Sequence, residues 1–331
     1  MMITGRHHII LTISAITLLI AACGSPEPRE ARVTDVSVEV RSEIIIPDAP
    51  EEPLYLSAVK RDDCTIALVD IRTKLVYSLG VCEPKMSVIS GQGTEDHQYE
   101  FPFRLFDFDG LLGIADMDLN EFIILNENDE LYKLLAYDDQ PGRSLSYSSG
   151  ASHYYRTNSG IHLMSRVEAE SRSVENFFLL PEPFQVFSLV VPGGGIQRIG
   201  DKIYAISSLM PYIYVFNETE EQVEYLLPDF MEFSLNTRRL PDIPFEEQNA
   251  FLTELREYQQ YSNLLTIEYN DETHLLIFYN LLNEFHMAIV NTDGEAVVNQ
   301  PLDYYILGTF DDAIIGMDVE TAQVFLLDIG R

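Results

Sequence analysis

Short runs of β-branched and aromatic residues recur along this chain, broken by Asp, Asn and Gly. Residues 54–60, 64–71 and 75–82 form one group of runs. Residues 103–106, 111–116, 122–127 and 131–136 form the next, with Asp109-Gly110 at its first turn. The shape returns at 196–227 around Gly200-Asp201, at 264–298 around Asn270-Asp271, and at 305–329 around Asp311-Asp312. A less regular copy runs from 154 to 180 and turns at Asn158-Ser159-Gly160. Runs this short, bounded by turn formers, predict strands, and helical spacing is nearly absent outside one segment.

The first turns of the groups fall near 62, 109, 159, 200, 270 and 311. A repeat of about 40–50 residues with about four strands per unit is the spacing of propeller blades. The expected fold is an all-β, six-bladed β-propeller with four-stranded blades over residues 33–331. The last group supplies one strand too few. An unclosed ring leaves an unpaired sheet edge. The alternating run Val36-Ser37-Val38-Glu39-Val40, or residues 43–46 behind it, is therefore expected to complete that blade from the N-terminal side.

One segment breaks the strand pattern, in the long interval between the turns at 200 and 270. Phe251, Leu252, Leu255, Tyr258 and Tyr261 repeat at spacings of three and four, and Glu246 and Glu247 follow Pro244. Apolar groups then share one helical face, with acids near the positive helix end. A helical insertion over about 241–261 is expected, either capping the channel, docking a partner or packing on the blade edges.

The N-terminus reads differently. Arg6 precedes an apolar stretch, residues 9–20, of secretory-signal length and too short to span a bilayer. It ends in Leu19-Ile20-Ala21-Ala22-Cys23: an aliphatic residue, two small residues, then Cys. That is the pattern of a bacterial lipoprotein signal. Residues 1–22 are expected to be a signal peptide, Cys23 the lipidated residue, and residues 23–32 a tether. Gly24 rather than Asp follows the Cys, which favours the outer membrane.

Charge narrows the partners. The chain carries 21 Lys and Arg against 53 Asp and Glu, a net charge of −32. Phosphate backbones and anionic lipid surfaces would be repelled, which excludes nucleic-acid binding. Only 5 of the basic residues are Lys, and a lysine-poor acidic surface suits a salty medium. Cys64 and Cys82 are equidistant from Thr73, and so would face each other across a hairpin. In an exported protein that placement predicts one disulfide.

Gly91-Gln92-Gly93, Tyr99-Glu100-Phe101-Pro102, Asp107-Phe108-Asp109-Gly110 and Ile114-Ala115-Asp116 follow one another through a single unit. Tyr212-Ile213-Tyr214-Val215-Phe216 looks like the third strand of another. In these motifs the chain resembles the exported six-bladed β-propeller lipoproteins related to NHL-repeat and Tol-type propellers. The resemblance covers most of residues 33–331. It implies a propeller and export, and no activity.

The candidate chemistry is sparse. Asp70, Asp116 and Asp318 each end a second run. Such an Asp can accept backbone N–H bonds and shape the next turn, or join a ring of carboxylates that binds a cation. Ser207 and Asn280 hold the same place in other units and favour the turn role. Asp116, Asp118 and Asn120, with Glu127 further on, partly match a calcium loop, but Glu121 stands where that loop needs Gly. A hairpin turn is the simpler account.

His97, His153, His162, His274 and His286 form no ligand pair, and are expected as solvated or core side chains. Gly193-Gly194-Gly195 lacks the Lys-Ser/Thr of a phosphate loop and reads as a connection between blades. There is no Gly-x-Ser-x-Gly elbow and no free catalytic Cys. No catalytic residue, cofactor or metal is therefore expected. The expected function is a cell-envelope lipoprotein that binds or scaffolds an envelope protein, peptide or glycan. The alternative is a propeller hydrolase or lyase with a metal at the central channel.

Overall fold

The computed structural model describes residues 36–47, 52–89, 99–116, 118–119, 121–136, 144–148, 153–157, 162–167, 174–179, 193–208, 210–219, 222–231 and 260–330. The chain divides between Arg32 and Val33, and every described residue lies beyond that division. Cys23 and the expected signal and tether lie outside the described residues.

The fold is an all-β propeller of four-stranded blades. The first strand, β1 (Val38–Ile44), belongs to the last sheet. One sheet holds β2 (Tyr55–Asp62), β3 (Thr65–Asp70), β4 (Leu75–Gly80) and β5 (Met86–Val88). The next holds β6 (Pro102–Phe108), β7 (Leu111–Asp116), β8 (Glu121–Leu125) and β9 (Leu131–Ala136). Then come β10 (Ser144–Ser148), β11 (His153–Thr157), β12 (His162–Val167) and β13 (Val174–Leu179). They are followed by β14 (Gly194–Ile199), β15 (Lys202–Ser207), β16 (Ile213–Asn217) and β17 (Gln222–Leu226). A further sheet holds β18 (Gln260–Tyr269), β19 (Glu272–Leu281), β20 (Glu284–Val290) and β21 (Ala296–Pro301). The last runs β22 (Tyr305–Phe310), β23 (Ala313–Met317), β24 (Val324–Ile329) and then β1. Among the described residues these are six sheets of four strands, with all pairings antiparallel.

The hydrophobic pattern explains the layering. Second strands such as β3 and β7 are buried at almost every position, because neighbouring blades cover both faces. Fourth strands lose that cover, and Gln222, Val223, Glu224 and Tyr225 of β17 are exposed. Apolar clusters bridge adjacent sheets: Leu68 and Tyr77 pack with Phe310 and Ile315, and Val69 and Val76 with Leu105 and Ile114. The first turns have the expected chemistry. Asp109 and Gly110, and Asn270 and Asp271, adopt positive φ, the conformation of two-residue hairpins.

First strands contact one another in a cycle: β2, β6, β10, β14, β18, β22 and back to β2. Gly308 permits the last step. A Cβ there would lie 2.1 Å from the Ala58 carbonyl oxygen on β2. The last sheet is completed by β1, which pairs with β24 from Val38↔Ile329 to Ile44↔Val324. The strand takes residues 38–40 from the first stretch offered by the sequence and 43–44 from the second.

Three expectations need correction. The copy placed at 154–180 is one strand out of register. Its first strand is β10, and the strand preceding residues 158–160 is the second. The run Ser-Leu-Ser-Tyr-Ser is too polar to read as a first strand. The helix expected over 241–261 does not reach its stated end. Gln260 and Tyr261 open β18, with Tyr261 buried and paired to Tyr279, so the helical spacing had taken in a sheet residue. Residues 241–259 lie outside the described residues, and no helix occurs among those described. Finally, Gly194 and Gly195 are the start of β14 and not a connection. A Cβ on Gly195 would lie 2.8 Å from the Leu264 backbone nitrogen, so Gly195 lets β14 approach β18.

Candidate axial binding site

The carboxylates singled out in the sequence are turn staples. Asp116 is fully buried. Its Oδ2 accepts from the Glu100 and Phe101 N–H groups at 2.7 and 2.9 Å. Its Oδ1 accepts from Asp118 and Leu119, both at 2.9 Å. One side chain thus ties the turn after β7 to the segment leading into β6. Asp70, also buried, accepts from Leu54 and Arg72 N–H and from the Thr73 hydroxyl. Asp318 accepts from Glu320 and Thr321, which hold its carboxyl below the usual range.

The four bonds to Asp116 leave little lone-pair capacity for a cation. Asn120 lies outside the described residues, and Asp118 enters the turn only through its N–H. The motif that carried the family resemblance is accounted for in the same way. Glu100 and Phe101 bond Asp116, while the Tyr99 hydroxyl donates to the Ile89 carbonyl and accepts from the Val76 N–H.

Sequence reasoning missed a second staple. Asn126 accepts from the N–H groups of Asn128 and Glu130, and Asn291 from those of Asp293 and Glu295. The signal was legible as Asn-x-Asn-x-Glu and Asn-x-Asp-x-Glu after two third strands.

Cys64 and Cys82 form a disulfide, with Cα atoms 5.1 Å apart, across the open end of the β3–β4 hairpin. The bond spans a sequence separation of 18. A loop of that size constrains the unfolded chain by about 3 kcal/mol. The double variant Cys64→Ala/Cys82→Ala is expected to lose about that much in urea unfolding, and dithiothreitol should no longer shift its midpoint. A variant as stable as the oxidised wild type would contradict this.

His274 and His286, among the described residues, each sit against their own blade's aromatics. His274 is buried, its Nδ1 3.0 Å from the Glu272 carbonyl and its ring edge-on to Tyr269. His286 stacks on Tyr279, and burial lowers its pKa. His162 is part of β12, the side chain of His153 is not described, and His97 lies outside the described residues.

The first strands instead bring together a site that sequence reasoning did not single out. They wall an axial cavity of about 300 Å³, bordered by Ser57 of β2, Arg104 and Asp107 of β6, Gln197 of β14, Asn263 of β18 and Thr309 of β22. A second cavity at the first-turn end adjoins it, sharing Val59, Asp107, Thr266 and Thr309, and is bordered by Lys60, Gly110 and Asp311.

Its inner part presents donors. The Arg104 Nη1 donates to Asn263 Oδ1 at 2.9 Å, and that oxygen also accepts from the Leu264 N–H at 2.9 Å. Burial lowers the pKa of Arg104; its positive charge in turn opposes the burial that raises the Tyr305 phenol. Ser57 is committed to the Leu105 backbone, and Gln197 donates to the Leu264 carbonyl.

The outer part is acidic. Burial pushes the Asp107 carboxyl above its ordinary value, the charge of Asp109 adds to this, and the Gly110 N–H opposes it. Lys60 at the rim is bound to Asp311 at 2.7 Å and to Asp63 at 3.1 Å. Arg198 pairs with Glu218. A signal for the site did exist in the sequence: Arg104 interrupts the apolar run Phe103-Arg104-Leu105-Phe106, and its cross-strand neighbour is Ala115, not an acid.

Solved structures share this architecture. A solved structure of a DUF4221 family member from Bacteroides vulgatus superposes with a TM-score of 0.59 at 10% identity, over 89% of this chain and 98% of that one. A putative exported protein from Bacteroides fragilis gives a TM-score of 0.61 at 12% identity, over 90% and 98%. Virginiamycin B lyase from Staphylococcus aureus gives 0.55 at 9% identity, over 89% and 99%. At these identities the likeness establishes the fold alone. No protein-family model matches the sequence, so the NHL-repeat resemblance gains no support from a family match, and no curated protein matches either.

Proposed function

We propose that this chain is a lipid-anchored, six-bladed propeller of the cell envelope, and that it captures a small ligand in its axial cavity. The observation that carries the reading is that cavity, walled by first strands from five described sheets and lined by charges not paired with one another. The cyclic contact of the first strands and the β1 clasp support a ring of six blades. Cys23 and its preceding apolar stretch support lipid attachment, and the exported Bacteroides relative in fold supports an envelope location. A binding role fits the lining better than catalysis does, since no histidine or cysteine borders the cavity among the described residues. Asp311 at the mouth is held by Lys60.

Two readouts test the proposal. Wild type should fractionate with membranes and incorporate labelled palmitate, whereas Cys23→Ser should be released and unlabelled. The released Cys23→Ser protein should then melt higher in the small-molecule fraction of an envelope extract. Membrane release of neither form, or stabilisation by no fraction, would contradict it.

A further inference from the structure

Two opposite charges face the axial cavity from the same strand, yet they do not meet. Among the described residues Arg104 has no carboxylate partner. Its side-chain hydrogen bond goes to the neutral Asn263, and the ionisable group acting on it is Tyr305. Asp107 likewise has no cation; it accepts from the Gly110 N–H and feels only the like charge of Asp109. A cation removed from water without a counter-charge costs several kcal/mol, so an occupant that supplies one is favoured.

The inner end is built for a carboxylate. The guanidinium has donors left over, and their fork matches a carboxylate. Two N–H groups fix Asn263 Oδ1 as the acceptor, which sets the amide orientation and leaves its Nδ2 as a donor. The outer end repels a second negative charge and attracts a positive one. Arg104 and Asp107 leave opposite faces of β6 but both border the cavity, and they are separated by roughly 10 Å of strand rise. An extended tripeptide spans roughly 10 Å as well. The cavity volume, about 300 Å³, lies at the small end of ligand pockets.

We propose that the axial cavity binds a short peptide with free termini, its carboxylate held by Arg104 and Asn263 and its ammonium group drawn to Asp107 at the mouth. This rests on the axial-binding reading above and names its ligand class.

The test uses triglycine, acetyl-triglycine and triglycine amide, with the Cys23→Ser protein followed by calorimetric titration. Triglycine should bind, and blocking either end should weaken binding about tenfold or more, the value of one charge-assisted contact. Arg104→Gln should lose the preference for a free carboxylate. Asp107→Asn should bind triglycine and acetyl-triglycine alike. If the acetylated peptide or the amide binds wild type as well as triglycine does, the peptide assignment falls while axial binding stands. If no peptide binds and an envelope fraction still stabilises the protein, the assignment falls alone. If neither occurs, both readings fall.

Discussion

A protein beginning at residue 47 should melt about 10 °C or more below one beginning at residue 24. The deletion removes β1, which pairs with β24 over six registered positions and buries Ile44. Each lost backbone hydrogen bond costs about 1 kcal/mol net, and losing the burial of Ile44 costs about 2 kcal/mol. The total is on the order of 5 kcal/mol, and each kcal/mol moves the midpoint of a large domain by about 2 °C or more.

The loss has a further consequence, because β24 becomes an open edge able to pair with another chain. Aggregation on heating should therefore increase. The ion pairs of Arg41 with Asp328 and Asp312, at 2.5 and 2.9 Å, are exposed and contribute little, so Arg41→Ala should cost at most about 1 kcal/mol. Deleting only residues 24–32 should leave melting unchanged. Differential scanning calorimetry of the three proteins checks the order. Equal midpoints for the two truncations would mean that β1 does not close the ring.

Asp116→Ala is the second large effect. It strands four backbone N–H donors around a fully buried position. Hydrogen bonds to a charged group are worth about 1.5–3 kcal/mol each, and the turn can relax to recover part of that. A net loss of about 3 kcal/mol is expected in urea unfolding. Asp70→Ala, with two N–H donors and a hydroxyl, should follow. Asp318→Ala, on the surface with two donors, should cost least. The ranking separates staples from a cation ring. Carboxylates gathered around a cation would lose stability together and regain it with added calcium, whereas staples respond to position and not to calcium.

These staples show why the fold was legible. Propeller blades repeat local instructions: an Asp after the second strand, a turn with positive φ after the first, apolar runs buried on both faces. Each instruction is readable within a few residues, which is why the blade spacing and the N-terminal clasp emerged from the sequence. Legibility ended where local chemistry was ambiguous. β10 is a serine-rich strand that owes its place to β6 and β14 on either side. Tyr261 continues a helical spacing yet belongs to a sheet, because its pairing with Tyr279 is long-range. The triple glycine looked like slack and instead marks close approach between strands.

The axial site was the least legible part. Arg104 and Asn263 belong to no motif, and Asp107 stood out only as the first residue of the turn motif Asp107-Phe108-Asp109-Gly110. Only the ring closure carries Asn263 to Arg104, across 159 residues. The turn carboxylates attracted notice because they recur, and they recur because every blade needs its turn. A binding residue needs to occur only once.

The most direct test of axial capture is native mass spectrometry of the Cys23→Ser protein taken from its own cells, beside the same protein carrying Arg104→Gln. The account predicts a bound small molecule on the first, lost on unfolding and absent from the second. Two bare proteins, or the same adduct on both, would contradict it.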